Sequence, residues 1–157
     1  MKKAASSPIL RGMKRLFALT LAAGLAWAQG AIGMRLGYGE GLGLTFGAAV
    51  ETRLRQNLSG RLAADLAPAG PGVALEASLL FKPDLGLYDP SLEGLLPYFG
   101  GGLSGLVGPA PTLGVGLTLG LEGLLDPYTG LFAEGTYVYG FAAFPKVWRL
   151  ALGANFR

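Results

Sequence analysis

Cysteine and histidine are both missing from the 157 residues. Without cysteine no disulfide framework can form, so stability has to come from packing and backbone pairing. Without histidine, the serine–histidine, cysteine–histidine and histidine–metal schemes of catalysis are all excluded. Charge is scarce at 15%, whereas apolar residues reach 51%. Yet after residue 28 no stretch runs without Gly, Pro or charge for the ~20 residues that a transmembrane helix needs. An apolar chain lacking long apolar runs fits strands that turn only alternate residues toward lipid.

The N-terminus carries the clearest local signal. Lys2, Lys3, Arg11, Lys14 and Arg15 precede the apolar stretch from Leu16 to Leu25, and Ala26-Trp27-Ala28 follows with small residues around a tryptophan. A charged segment, a short apolar segment and a small-x-small site predict a secretory signal peptide over residues 1–28, cleaved between Ala28 and Gln29. Met13 is an alternative start, since Met13 to Ala28 already holds all three parts. Five of the 13 basic residues but none of the 10 acidic ones precede Gln29. The exported segment 29–157 therefore counts 8 basic against 10 acidic residues, and its net charge of −2 gives no warrant for nucleic-acid binding.

Alternation is the dominant pattern beyond that point. In the last run, Trp148, Leu150, Leu152, Ala154 and Phe156 form one face, with Val147, Arg149, Ala151, Gly153, Asn155 and Arg157 on the other. A two-residue period places those sets on opposite sides of a strand. Eight strands are predicted on this basis, over 33–39, 42–53, 58–67, 73–82, 97–106, 112–123, 131–139 and 147–157. Leu42, Leu44, Phe46, Ala48 and Val50 are read as facing out. Gly39-Glu40-Gly41 reads as a tight hairpin, Pro68–Gly72 as a loop, and Pro83–Leu96 as a long irregular connection. Gly37-Tyr38-Gly39-Glu40-Gly41 lacks the following helix and the Lys-Ser/Thr of a phosphate-binding loop.

The charged residues fall on the other parity. Arg35, Glu51, Arg53, Arg61, Asp65, Glu76, Lys82, Glu122, Glu134 and Arg149 are predicted to point into an eight-stranded lumen just wide enough for side chains. There they must pair, because an unpaired buried charge costs several kcal/mol. Frequent glycine leaves room for such long side chains and permits the coiling that closure demands. An even strand count puts both termini on the periplasmic side. Tyr38, Tyr137, Tyr139 and Trp148 then belong to an outer aromatic girdle, and Phe81, Tyr98 (or Phe99) and Phe156 to a periplasmic one.

With the signal peptide, the eight alternating strands, Leu96-Pro97-Tyr98-Phe99-Gly100-Gly101-Gly102 and the aromatic-ended final strand in place, the chain resembles the small outer-membrane β-barrels. It is similar to the transmembrane domain of outer-membrane protein A and its eight-stranded relatives. The resemblance spans Ala31 to Arg157 and implies an all-β, antiparallel up-and-down barrel in a Gram-negative-type cell outer membrane. It also implies recognition of the C-terminal strand by the barrel-assembly machinery. The final aromatic is here followed by Arg157, and Gly39–Gly41 and Pro68–Gly72 are short where relatives carry long external loops. No peptidoglycan-binding segment follows the barrel in this sequence.

These readings predict a monomeric, lipid-embedded protein with a closed, ion-paired lumen and a structural role in the envelope. They predict no catalysis, cofactor, metal or nucleic-acid partner; Glu122 and Glu134 read as partners for Arg61, Arg149 or Arg35 rather than as an acid–base pair. Two alternatives stand beside this one. The first is a narrow conduit for small ions or for apolar solutes leaving sideways near Gly108–Pro111. The second is a secreted, calycin-like soluble barrel holding an apolar ligand. Low lysine, absent cysteine, short loops and many prolines add a thermophile-like composition.

Overall fold

The computed structural model describes residues 30–68, 72–108, 111–141 and 146–157. The signal segment with its Ala28–Gln29 junction, the middle of the Pro68–Gly72 loop and Pro109–Ala110 of the suggested lateral exit lie outside the described residues. Eight strands form one closed sheet: β1 (Gly30–Gly39), β2 (Gly43–Arg55), β3 (Leu58–Leu66), β4 (Val73–Phe81), β5 (Leu95–Val107), β6 (Thr112–Leu124), β7 (Thr129–Gly140) and β8 (Val147–Phe156). Every strand pairs antiparallel with its sequence neighbours, and β8 closes onto β1. Closure leaves no unpaired edge, which is what a strand needs where water cannot satisfy its backbone.

The ladder is staggered around the ring. From Gly30 the paired residues run through Thr52, Gly60, Leu79, Gly101, Leu117, Tyr137 and Trp148. Because Gly39 pairs with Arg149, the walk returns to β1 at Glu40, ten residues beyond its start. A stagger of this size goes with the strand tilt of roughly 35–45° that closed barrels require.

Each turn has a local cause. Leu42 N–H donates to the Gly39 carbonyl at 3.1 Å, and the β1–β2 hairpin closes because Gly41 and Gly43 take φ of 74° and 70°. Those values suit glycine and few other residues. Between β4 and β5 the chain is more ordered than its sequence predicts. It forms two single-turn 3₁₀ helices, Leu85–Leu87 and Pro90–Leu92, with Asp84 and Asp89 as their N-caps. The tight Asp126–Thr129 turn between β6 and β7 is held by Asp126 Oδ1, which accepts from the Tyr128 and Thr129 amides at 2.7 and 2.8 Å.

The two faces separate by polarity. Met34, Leu36, Leu44, Phe46, Leu79, Leu117, Leu119, Leu150 and Leu152 are exposed on the outside. Arg35, Thr45, Arg61, Asp65, Glu76, Ser104, Thr118, Glu122, Glu134 and Arg149 are buried inside. The first turn departs from its predicted sidedness. Leu42, read as facing out, lies in the turn ahead of β2 and is buried with Ala67 and Ala74. The positive φ at Gly43 breaks the alternation there, so parity counted back through it points the wrong way.

Candidate functional site

The lumen is built around a ring of six alternating charges. Arg35 Nε lies 3.2 Å from Asp65 Oδ1, and Arg149 Nη1 lies 3.4 Å from Asp65 Oδ2. Arg149 Nη2 reaches Glu76 Oε2 at 2.7 Å, and Arg61 Nη2 reaches Glu76 Oε1 at 3.2 Å. Arg61 Nη1 then meets Glu134 Oε2 at 2.6 Å, and Arg35 Nη2 meets Glu134 Oε1 at 2.8 Å, closing the circuit. Three arginines alternate with three carboxylates, so the ring is formally neutral. Its members come from β1, β3, β4, β7 and β8, which places it across the lumen rather than along one wall. Such pairing is what lets six charges stay out of water at all.

The pairing satisfies charge better than it satisfies hydrogen bonds. Arg35 stands at ionic distance from both its carboxylates, but its Nε and Nη1 have no aligned acceptor among the described residues. Arg61 Nε and Arg149 Nε are likewise without a hydrogen-bond partner there.

A second charge chain sits toward the end of the barrel that holds Gly30 and Arg157. Lys82 Nζ is 2.7 Å from Glu51 Oε1 and 3.1 Å from Glu122 Oε2, and Arg157 Nη2 is 2.7 Å from Glu122 Oε1. Asn155 Nδ2 donates to the same Glu122 oxygen at 3.0 Å. This chain is also neutral, with two acids and two bases. Between the two networks lies an apolar layer of Leu80, Tyr98 and Phe132.

Tyr98 joins these parts. Its hydroxyl donates to Glu134 Oε2 at 2.9 Å. Its ring has Lys82 Nζ at 4.7 Å and the Arg61 guanidinium at 5.9 Å from the centroid, both within cation–π range. The ring fits because the paired residue on β6 is Gly120, where a Cβ would overlap it. The same device recurs elsewhere. Asp65 occupies the space over Gly47, Phe132 that over Gly153, and the Glu122 carboxylate that over Gly130.

The structure gathers nine of the ten charges that sequence parity assigns to the lumen into these two networks. Arg53 is the exception. It is exposed at the wet end of β2, beside a bulge in the β2–β3 register between Arg53 and Arg55, and makes no ion pair among the described residues. Its pairing with Ser59 precedes that bulge, so Arg53 keeps the inward parity of Glu51 and is exposed because it lines the open terminal mouth of the lumen. Tyr98, assigned to the periplasmic girdle, is instead buried in the lumen, and Phe99 takes the outward place, its ring 5.4 Å from that of Phe81. Tyr38, Tyr137, Tyr139 and Trp148 are exposed toward the rim opposite Gly30 and Arg157, and Phe81 and Phe156 toward the rim that holds those two residues. Sequence parity puts Arg157 on the polar side of β8 but not in a charge network. Its only hint is a basic side chain two residues past Asn155 on that same side.

Two cavities flank the ring. The terminal one, about 870 Å³, is polar and bordered by Glu51, Arg53, Asn57, Ser59, Lys82 and Arg157. The far one, about 330 Å³, is bordered mainly by Leu42, Ala74, Leu106, Val138 and Val147, with Arg149 at its floor.

Against known proteins, no family model and no curated sequence matches this chain. Solved structures do. The N-terminal β-barrel domain of Pseudomonas aeruginosa OprF superposes with a TM-score of 0.63 at 14% identity, covering 82% of this chain and 98% of that one. Neisserial surface protein A gives 0.56 at 15% identity over 81% and 94%. A major outer membrane protein from Thermus thermophilus gives 0.56 at 18% identity over 81% and 98%. At such identities the likeness establishes the fold: a closed, eight-stranded, antiparallel up-and-down barrel of the kind these outer-membrane proteins share.

Proposed function

We propose that this chain is an integral outer-membrane barrel whose lumen is sealed by the six-member charge ring, and that its role is structural support of the envelope. The single observation carrying this reading is the neutral circuit Arg35–Asp65–Arg149–Glu76–Arg61–Glu134. It crosses the lumen inside a wall whose outer face is leucine-rich, the reverse of a soluble barrel that holds an apolar ligand. Aromatic side chains exposed near both rims supply the interfacial belts expected of a lipid-spanning barrel.

In this reading the termini face the periplasm. The short Gly39–Gly43 turn then faces outward, while the longest described connection, between β4 and β5, faces the periplasm. An outward rim so spare favours a structural role over adhesion. Assembly proceeds by recognition of β8, and the barrel is a monomer in outer-membrane lipid, without nucleic-acid partner or cofactor. Catalysis is no part of the role, since the lumen carboxylates are committed to arginine and lysine.

A conduit is the competing reading, and the cavities on either side of the ring favour it. Fractionation and gel mobility test the membrane assignment. The protein is expected in the outer-membrane fraction, with a faster-running band when unheated than when boiled. A soluble protein of unchanged mobility would overturn it.

A further inference from the structure

The outer wall is not evenly covered by leucine. Across β2 to β5 it carries a hollow of about 630 Å³, bordered by Thr52, Gly60, Leu62, Ala77, Leu79 and Gly101. Directly paired residues share a face of the sheet, and the row Thr52–Gly60–Leu79–Gly101 offers one long side chain in four. Gly60 and Gly101 contribute none, and Ala77 in the next row only a methyl group. Arg61 and Ser78 also border the hollow, but their side chains turn inward to Glu76 and Glu134.

The hollow ends at a basic edge. Arg53 pairs with Ser59 and Arg55 with Leu58, so Leu54 and Arg55 both stand opposite Leu58. A bulge sets two residues of one strand against one of its neighbour in this way. Leu58 has the outward parity of Gly60 and Leu62, and its row continues through Phe81 and Phe99. The bulge therefore brings Arg55 to the lipid side, in line with the aromatic belt. Leu54 borders both the hollow and the mouth beside Arg157, which joins the two. Arg55 is exposed and makes no ion pair among the described residues. Of the other charges on that mouth, Lys82, Glu51 and Arg157 are held in the second charge chain. Asp84 accepts from the Gly86 amide, and Arg53 keeps the inward parity.

From this geometry we infer that β2–β5 hold an anionic phospholipid of the leaflet at that rim, with one acyl chain in the hollow and its phosphate on Arg55. The inference rests on the membrane reading above and adds a specific lipid contact to it. Size follows from volume. At about 30 Å³ per water-sized group, the hollow of 630 Å³ takes on the order of twenty methylene-sized units, one acyl chain. The sign of the headgroup follows from the edge. The walls are almost wholly apolar, whereas a guanidinium meets a phosphate with two parallel N–H donors. The arginine stem can lie along the wall while its charged end stays at headgroup level.

The test places the folded barrel in phosphatidylcholine nanodiscs, with isotope-labelled Leu and Val methyl groups, and adds rising fractions of phosphatidylglycerol. Saturable shifts are expected at Leu54, Leu79 and Leu103, while the outward Leu119 and Leu152 change only in proportion to composition. Arg55→Gln should raise the half-saturating fraction about fivefold, the worth of one basic residue at an anionic surface, and Arg55→Lys should restore most of it. Ala77→Leu should fill the hollow and abolish saturation at Leu79 and Leu103; Ala77→Val serves should the larger residue prevent folding. Inorganic phosphate added to pure phosphatidylcholine discs should leave these methyl groups unmoved. If it reproduced the shifts, a soluble anion would be the occupant and the lipid site would be overturned. Shifts that never saturate, or saturation that Arg55→Gln and the Ala77 variants both leave unchanged, would also overturn it, although the inserted barrel would still satisfy the membrane reading. A chain that stays outside the discs would overturn both.

Discussion

The Tyr98 hydroxyl donates to Glu134 across 2.9 Å, tying β5 to β7 through the middle of the lumen. Tyr98→Phe removes that single donor and keeps the ring over Gly120. Glu134 Oε2 retains Arg61, so the expected loss is that of one buried hydrogen bond, roughly 0.5–1.5 kcal/mol. Urea unfolding in lipid vesicles, followed by the mobility shift of the folded band, measures it.

Glu134→Gln should cost more. It leaves Arg35 with Asp65 alone and Arg61 with Glu76 alone, breaking the circuit in two places. An uncompensated buried charge is expected to approach the ~3–5 kcal/mol of a broken buried ion pair. Replacing all six ring residues with apolar side chains of similar volume should cost far less than the single change, because no stranded charge remains. A lower urea midpoint with unchanged slope would report the single variant as a loss of stability alone.

Gly120→Ala tests the packing of Tyr98. The added methyl group would overlap the phenol ring, and forced repacking of this kind costs roughly 1–3 kcal/mol. In a Tyr98→Ala background the same change should cost little. The double-mutant cycle should therefore be strongly non-additive.

How much of this is legible in the sequence depends on where alternation stays clean. β6 alternates leucine or valine with glycine, threonine and glutamate, so Glu122 and Thr118 fall inside it without ambiguity. At Pro97-Tyr98-Phe99 two adjacent aromatics offer parity no contrast, and only the need of a hydroxyl for a partner favours the inward place for Tyr98. Parity misplaces Leu42 where a positive-φ glycine interrupts the period. The ring itself is hidden, since partner choice among inward charges depends on the ten-residue stagger, which no local pattern encodes.

A pH effect is expected at the terminal rim. The Tyr128 amide, aided by Thr129, holds the Asp126 carboxyl below the ordinary aspartate range, and the Ser91 amide does the same for Asp89. A depressed folded-state value means that each turn gains stability above the unfolded aspartate value and loses it as pH falls through the folded one. Amide exchange at Tyr128 and Thr129 should therefore show less protection once acid titrates that carboxyl. Asp126→Asn should lose this acid-dependent change while keeping the turn.

Planar-bilayer recording of the purified barrel tests the seal most directly. The neutral ring predicts a flat trace for the native protein across a wide voltage range, with steps appearing once Arg61 and Glu134 are both replaced by serine. Reproducible single-channel steps from the native protein, unaltered in the double variant, would contradict a lumen closed by these charges.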